Sequence, residues 1–162
     1  MFSLFRSTQT IPDLSFISAD MHSHLLPGLD DGLQEIEQTL EFIKELQQLG
    51  YKKLICSPHI LSGLYDNSPE TILPKLGLVR TALTENNIDM PIEAAAEYMV
   101  DADFENYVNE GKQLLTFGKN LILIEMSYAA ASNNIEQVIF QLRIKGLQPV
   151  LAHPERYSYY LS

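Results

Sequence analysis

A chain of 162 residues, 46% of them hydrophobic, carries enough apolar material for one buried core and about one domain. With 11 basic against 21 acidic side chains its net charge is -10, which repels phosphate backbones and argues against nucleic acid as a partner. The single cysteine, Cys56, permits no internal disulfide and fits a reducing compartment.

In chain order, the opening "MFSLFRSTQTIPDLSF" holds one arginine and no apolar run of the length a signal peptide needs. No later run approaches a membrane span, so the expected setting is cytoplasmic. "FISADMHSH" predicts the first strand. From Leu33 to Leu49 apolar residues recur at helical spacing, with polar residues between them and Gly50 as the expected C-cap. "KLICSPH" (53 to 59) reads as a buried strand, and Cys56 within it as a structural thiol. After a polar loop from Ser62 to Ser68, Ser68-Pro69-Glu70 has the chemistry of a helix start. The core face of that helix would be Ile72, Leu76, Val79 and Leu83, and Pro74 and Gly77 are expected to weaken or kink it. "MPIEAAAEY" (90 to 98) is the third strand, Phe104 to Glu110 a short helix, and "NLILIEMS" (120 to 127) the clearest strand of the chain. An amphipathic stretch from Asn133 to Lys145 and the strand "QPVLAHP" (148 to 154) complete a repeated βα order. That order predicts an α/β fold with a parallel sheet, open or part of a barrel.

Chemistry collects at one end of these strands. The first apolar run ends in His22 and His24, the second in His59, the third in Glu97, the fourth in Glu125 and the fifth in His153. The carboxyl ends of parallel strands converge on one face, so these six residues are expected to meet. Imidazole nitrogen and carboxylate oxygen together bind zinc, manganese or iron. By the strand period of two, both histidines of "HSH" point to one face. Taken singly each signal is weak: a histidine at a strand end is often only hydrogen-bonded. Asp31 could equally cap the helix that starts near Leu33, with Gln34 completing a capping box. Glu97 and Glu125 carry more weight, because a carboxylate ending a run such as "LILI" is costly unless paired or on a metal. Asp30 reads as a turn residue.

Together "DMHSH", "DDG", "SPH", a glutamate ending the third strand, "LIEMS" and "AHPERY" resemble the polymerase and histidinol phosphatase (PHP) superfamily, and within it the bacterial capsule-type protein-tyrosine phosphatases of the CpsB kind. The resemblance runs from about Ser18 to the C-terminus. It implies a distorted TIM-like (β/α)7 barrel holding up to three divalent ions, manganese foremost, with zinc or iron as alternatives. Carried to this sequence, His22, His24 and Glu97 would bind the first ion. Glu97 would bridge to a second, completed by Glu125 and His153, and Asp31 and His59 would serve the third. Arg156 would contact substrate phosphate, for which its planar fork of donors is suited. "AAAE" stands where relatives usually have a glycine two residues before the glutamate. The family's late Asp-x-His motif has no counterpart, so residues 1 to 162 are expected to form an incomplete barrel of about five βα units, as a fragment or a shortened relative.

The function this implies is metal-dependent hydrolysis of phosphotyrosine on a protein, foremost a kinase governing capsular or exopolysaccharide export. No phosphocysteine is expected, since nothing around Cys56 activates a thiol. A small-molecule phosphatase of the histidinol phosphate type and a non-catalytic metal-binding domain are the alternatives. Open barrel edges would also favour self-association into a homo-oligomer.

Overall fold

The computed structural model describes residues 13 to 160. Within them the βα alternation is realised as β1 (Ala19–Ser23), α1 (Ile36–Gln48), β2 (Lys53–Cys56), β3 (His59–Ile60), α2 (Pro69–Glu85), β4 (Ile92–Ala94), β5 (Glu97–Met99), α3 (Ala102–Asn109), β6 (Leu121–Glu125), α4 (Ile135–Ile144) and β7 (Gln148–Leu151). Two single turns of 3-10 helix follow, Pro154–Arg156 and Ser158–Tyr160. The reading of the chain's opening as lacking a leader rests mostly on residues 1 to 12, outside the described residues. No helix among the described residues is long and apolar enough to cross a membrane.

The fold is mixed α/β, and every pairing between these strands is parallel. The strands divide between two sheets, in the orders β1-β2-β4 and β3-β5-β6-β7. Here the structure corrects the sequence reading, because "KLICSPH" and "MPIEAAAEY" are each two strands in two sheets. Pro58 has no amide hydrogen, so a regular ladder cannot run through it. The ladders stop on either side of the seam instead: Ser57 N–H donates to Ser23 O at 2.8 Å and Ala95 N–H to Cys56 O at 2.8 Å as the last rungs of one sheet, and Glu97 N–H to Pro58 O at 3.0 Å as the first rung of the other. Counted as five runs, the strands lie side by side in sequence order.

The helices bury the faces their periodicity assigns. Ile72, Leu76, Val79 and Leu83 of α2 are buried as expected, and the helix runs without a break through Pro74 and Gly77. Ile43 of α1, Phe104 and Val108 of α3, and Val138 and Leu142 of α4 pack with Leu54, Cys56, Ile92, Ile122 and Ile124 of the strands into the main core. A second correction falls at α1, which begins at Ile36 with Glu35 as N-cap, so Asp31 caps no helix. Leu33 is withheld from the helix because its backbone closes the preceding loop: its N–H donates to His24 O at 3.2 Å and its O accepts from Gly28 N–H at 2.9 Å.

Candidate metal centre

The seam between the sheets is where the chemistry stands. His22 lies within β1 and His24 just beyond it. His59 and Glu97 are the first residues of β3 and β5, paired in parallel register, so they begin their strands immediately past the seam and do not end the longer runs. Glu125 ends β6, and His153 follows β7 by two residues at φ +30°. That left-handed backbone is unfavourable for a residue with a Cβ and is held by the tight "PER" turn after it.

Glu97 is fully buried and faces all four histidines. Its Oε2 lies 2.9 Å from His22 Nε2, 3.4 Å from His24 Nε2 and 3.4 Å from His59 Nδ1, and its Oε1 lies 2.8 Å from His153 Nε2. Glu125, 3% exposed, places Oε1 at 2.8 Å from His59 Nδ1 and Oε2 at 3.6 Å from His153 Nε2. Asp31 stands at the rim, 63% exposed, its Oδ1 3.7 Å from His59 Nε2. The structure therefore brings all seven expected donors together.

Burial penalises the charged form of each group, and the partners decide the outcome. Burial pulls His24 down, but Asp30 and Glu97 outweigh it and raise the ring to about 10. Burial likewise opposes charge on His59, which Glu125 and Glu97 raise nonetheless. Burial pushes Glu97 up, and His22, His24 and His59 hold it well below the usual carboxylate range. These buried carboxylates call for positive charge beside them.

The donor set fits divalent cations. Ligand atoms gather within 4.8 Å of one another in three groups: His22, Glu97 and His153; His24, His59 and Glu97; and His24, Asp30 and Asp31. This division differs from the one the resemblance implies: His22 stands beside His153 across Glu97, Glu125 falls in none of the three groups, and Asp30 enters one. The Nδ1 atoms of His59 and His153 are buried without a hydrogen bond; the His59 contact to Glu125 has the distance but not the direction of one. His59 Nδ1, crowded against oxygens of both Glu125 and Glu97 without a hydrogen bond, matches coordination better than hydrogen bonding.

An open cavity of about 620 Å³ leads to the cluster. Its walls add Leu61, Leu64, Tyr65, Met99, Met126 and Tyr128, and Arg156 is the one lysine or arginine lining it among the described residues. Arg156 Nη1 donates to Tyr128 Oη at 3.3 Å. The Tyr65 ring stacks on His59, centroids 5.5 Å apart. Cys56 is fully buried, burial raises its thiol to about 12, and it does not line the cavity.

Sequence reasoning placed Asp30 in a turn, and its Oδ1 does accept from Gly32 N–H at 3.0 Å. Its Oδ2, however, lies 2.6 Å from His24 Nδ1 and accepts from His59 N–H at 2.9 Å. Tyr65 and Tyr128 carry no signal in the sequence, because nothing local distinguishes a tyrosine beside a cluster assembled from distant strands.

Residues 18–162 match the capsular polysaccharide synthesis family CpsB/CapC. The chain belongs to that family. Among CpsB/CapC relatives, the tyrosine-protein phosphatase YwqE of Bacillus subtilis is 28% identical over 137 residues, 85% of this chain and 54% of its own. The tyrosine-protein phosphatase CpsB of Streptococcus pneumoniae is 27% identical over 140 residues, 86% of this chain and 57% of its own. A chain from the crystal structures of YwqE and CpsB, described as metal-dependent tyrosine phosphatases, superposes with a TM-score of 0.79 at 28% identity, over 88% of this chain and 58% of that one. The present chain thus spans just over half the length of these relatives.

Proposed function

We propose that this chain forms the metal centre of a metal-dependent protein-tyrosine phosphatase, on part of a TIM-like PHP barrel. The observation that carries the reading is Glu97, one fully buried carboxylate facing four imidazoles, two from the end of β1 and one each from the start of β3 and the turn after β7. His22, His24, Asp31, His59, Glu97, Glu125 and His153 would hold up to three divalent ions. Manganese suits this mixture of carboxylate and imidazole, with zinc or iron as substitutes. The side-by-side strand order favours a barrel over a doubly wound sheet, whose order reverses.

Divalent ions bound there supply Lewis acidity toward phosphoryl oxygens and draw a nucleophile from water at neutral pH. The chain's own groups do the rest. Arg156, steadied by Tyr128, binds phosphate oxygens at the cavity wall. Leu61, Leu64, Tyr65 and Tyr128 offer an apolar and aromatic surface for the phenyl ring of phosphotyrosine. Cys56, buried and protonated, takes no part. Given the relatives' names and the family's link to capsular polysaccharide, the substrate is a phosphotyrosine protein in the cytoplasm, foremost a tyrosine kinase of polysaccharide export. The unpaired edges of the sheets favour self-association.

Elemental analysis of the purified chain, followed by hydrolysis of an aryl phosphate with added manganese, tests this. The expected result is bound divalent metal and a hydrolysis rate abolished by chelator and restored by manganese. A chain that binds no divalent ion under any loading condition would overturn the metal centre. Bound metal without hydrolysis would leave a binding domain. Preference for histidinol phosphate over aryl phosphate would move the substrate to the small-molecule class.

A further inference from the structure

We propose that Asp30 is a positioning residue of the metal centre, orienting His24 and anchoring His59 without itself holding an ion. The inference rests on the metal centre argued above. The Asp30 side chain is wholly buried behind the cavity wall: the lining includes its partners His24, Gly32 and His59, and Asp31, but not Asp30 itself. Its Oδ2 takes the ring of His24 at 2.6 Å and the backbone N–H of His59 at 2.9 Å, and its Oδ1 takes Gly32 N–H at 3.0 Å. Three partners leave this carboxylate little capacity for a cation, although its atoms fall within the group of His24 and Asp31.

The consequence for His24 is chemical. A carboxylate at Nδ1 requires the proton there, which leaves Nε2 free to coordinate on the side where Glu97 Oε2 lies at 3.4 Å. The consequence for His59 is spatial, since its backbone is tied to the loop that follows β1, so one side chain sets the separation of two donors from different sheets. Gly32 makes the arrangement possible. A Cβ there would fall 2.3 Å from His24 O and 2.5 Å from His24 Cβ, so only glycine lets the loop close behind the histidine. The second half of "DDG" is thus explained by contact with the second half of "HSH".

The test compares wild type with Asp30→Asn and Asp30→Ala, using Zn²⁺ as a diamagnetic probe. Affinity is read by chelator competition, stoichiometry by elemental analysis, and the His24 ring by ¹H–¹⁵N NMR of the zinc-loaded protein. Wild type should show a protected Nδ1–H on His24. Asparagine can present its oxygen to His24 only by turning its NH₂ toward the Gly32 N–H, and the reverse rotamer places the proton on Nε2, where it blocks coordination. Both variants should keep zinc stoichiometry at high metal, lose that protected proton, and bind about 10- to 100-fold more weakly. Retention of the His24 Nδ1–H and of wild-type affinity in either variant would overturn the proposal, leaving the metal centre intact. Loss of one full equivalent of zinc with the ring proton retained would make Asp30 a ligand, also against it. Failure of wild type to bind zinc, manganese or any other divalent ion would overturn both readings.

Discussion

At Glu97 the physics of the centre is most exposed, because a carboxylate removed from water is tolerated only beside compensating charge. Glu97→Gln removes a donor shared by all four histidines, whereas Asp31→Asn alters a rim group that is 63% exposed. Metal content after gel filtration should therefore fall at least about 10-fold more in the first variant than in the second; equal losses would defeat the assignment of Glu97 as the shared ligand. The pH dependence follows from the same groups. In the metal-free protein His24 is raised from 6.5 to about 10, so its stabilising contribution is whole below pH 6.5 and fades as pH rises toward 10. Glu97 is lowered from 4.5, so its contribution is present above that pH and is lost as pH falls through its depressed value. A metal takes imidazole only in its neutral form, so ion and proton compete, and affinity rises with pH. Melting curves between pH 6 and 9 should move down with pH under chelator while the zinc-induced increment grows. Parallel curves would exclude that competition.

At the scale of elements, the helices were legible because their core faces repeat every three to four residues, and α2 buries the four apolar residues that repeat names. The strands were legible as runs but not as strands. An apolar stretch looks continuous whether or not its ladder changes partner, and only Pro58 hinted at the break in "KLICSPH". Nothing in the three alanines before Glu97 marked the second break. The histidines and glutamates were legible because each stands where an apolar run ends or, for His59 and Glu97, where it changes sheet, while Asp30 was not, since its partners lie 6 and 29 residues away. Tyr157 offers a test of how the end of β6 is held: its buried hydroxyl accepts from Met126 N–H at 3.1 Å. Tyr157→Phe strands that amide and should cost about 1–3 kcal/mol in denaturant unfolding. No loss would mean the amide finds another partner.

Across the whole molecule the two outer strands differ. Among the described residues β1 pairs only with β2, and β7 only with β6. Gln148 and Ala152 donate to the β6 side, so the alternation of a strand turns Pro149 outward, where its missing hydrogen blunts that edge. Among the described residues the β1 edge has no such guard, and Phe16, Ile17 and Met21 beside it are exposed. Sedimentation velocity should reveal concentration-dependent association that Met21→Lys weakens. A wild type that stays monomeric at high concentration would rule this out.

The seam has one more consequence. The backbone bonds of Ser57, Ala95 and Glu97 are the end rungs of the ladders on its two sides, and the side chains around them belong to both sheets. Ions held by side chains of both sheets would tie the two ladders to each other across the seam. Amide hydrogen exchange at these three positions should therefore report occupancy of the centre, slowing on loading while the interiors of α1 and α2 exchange as before.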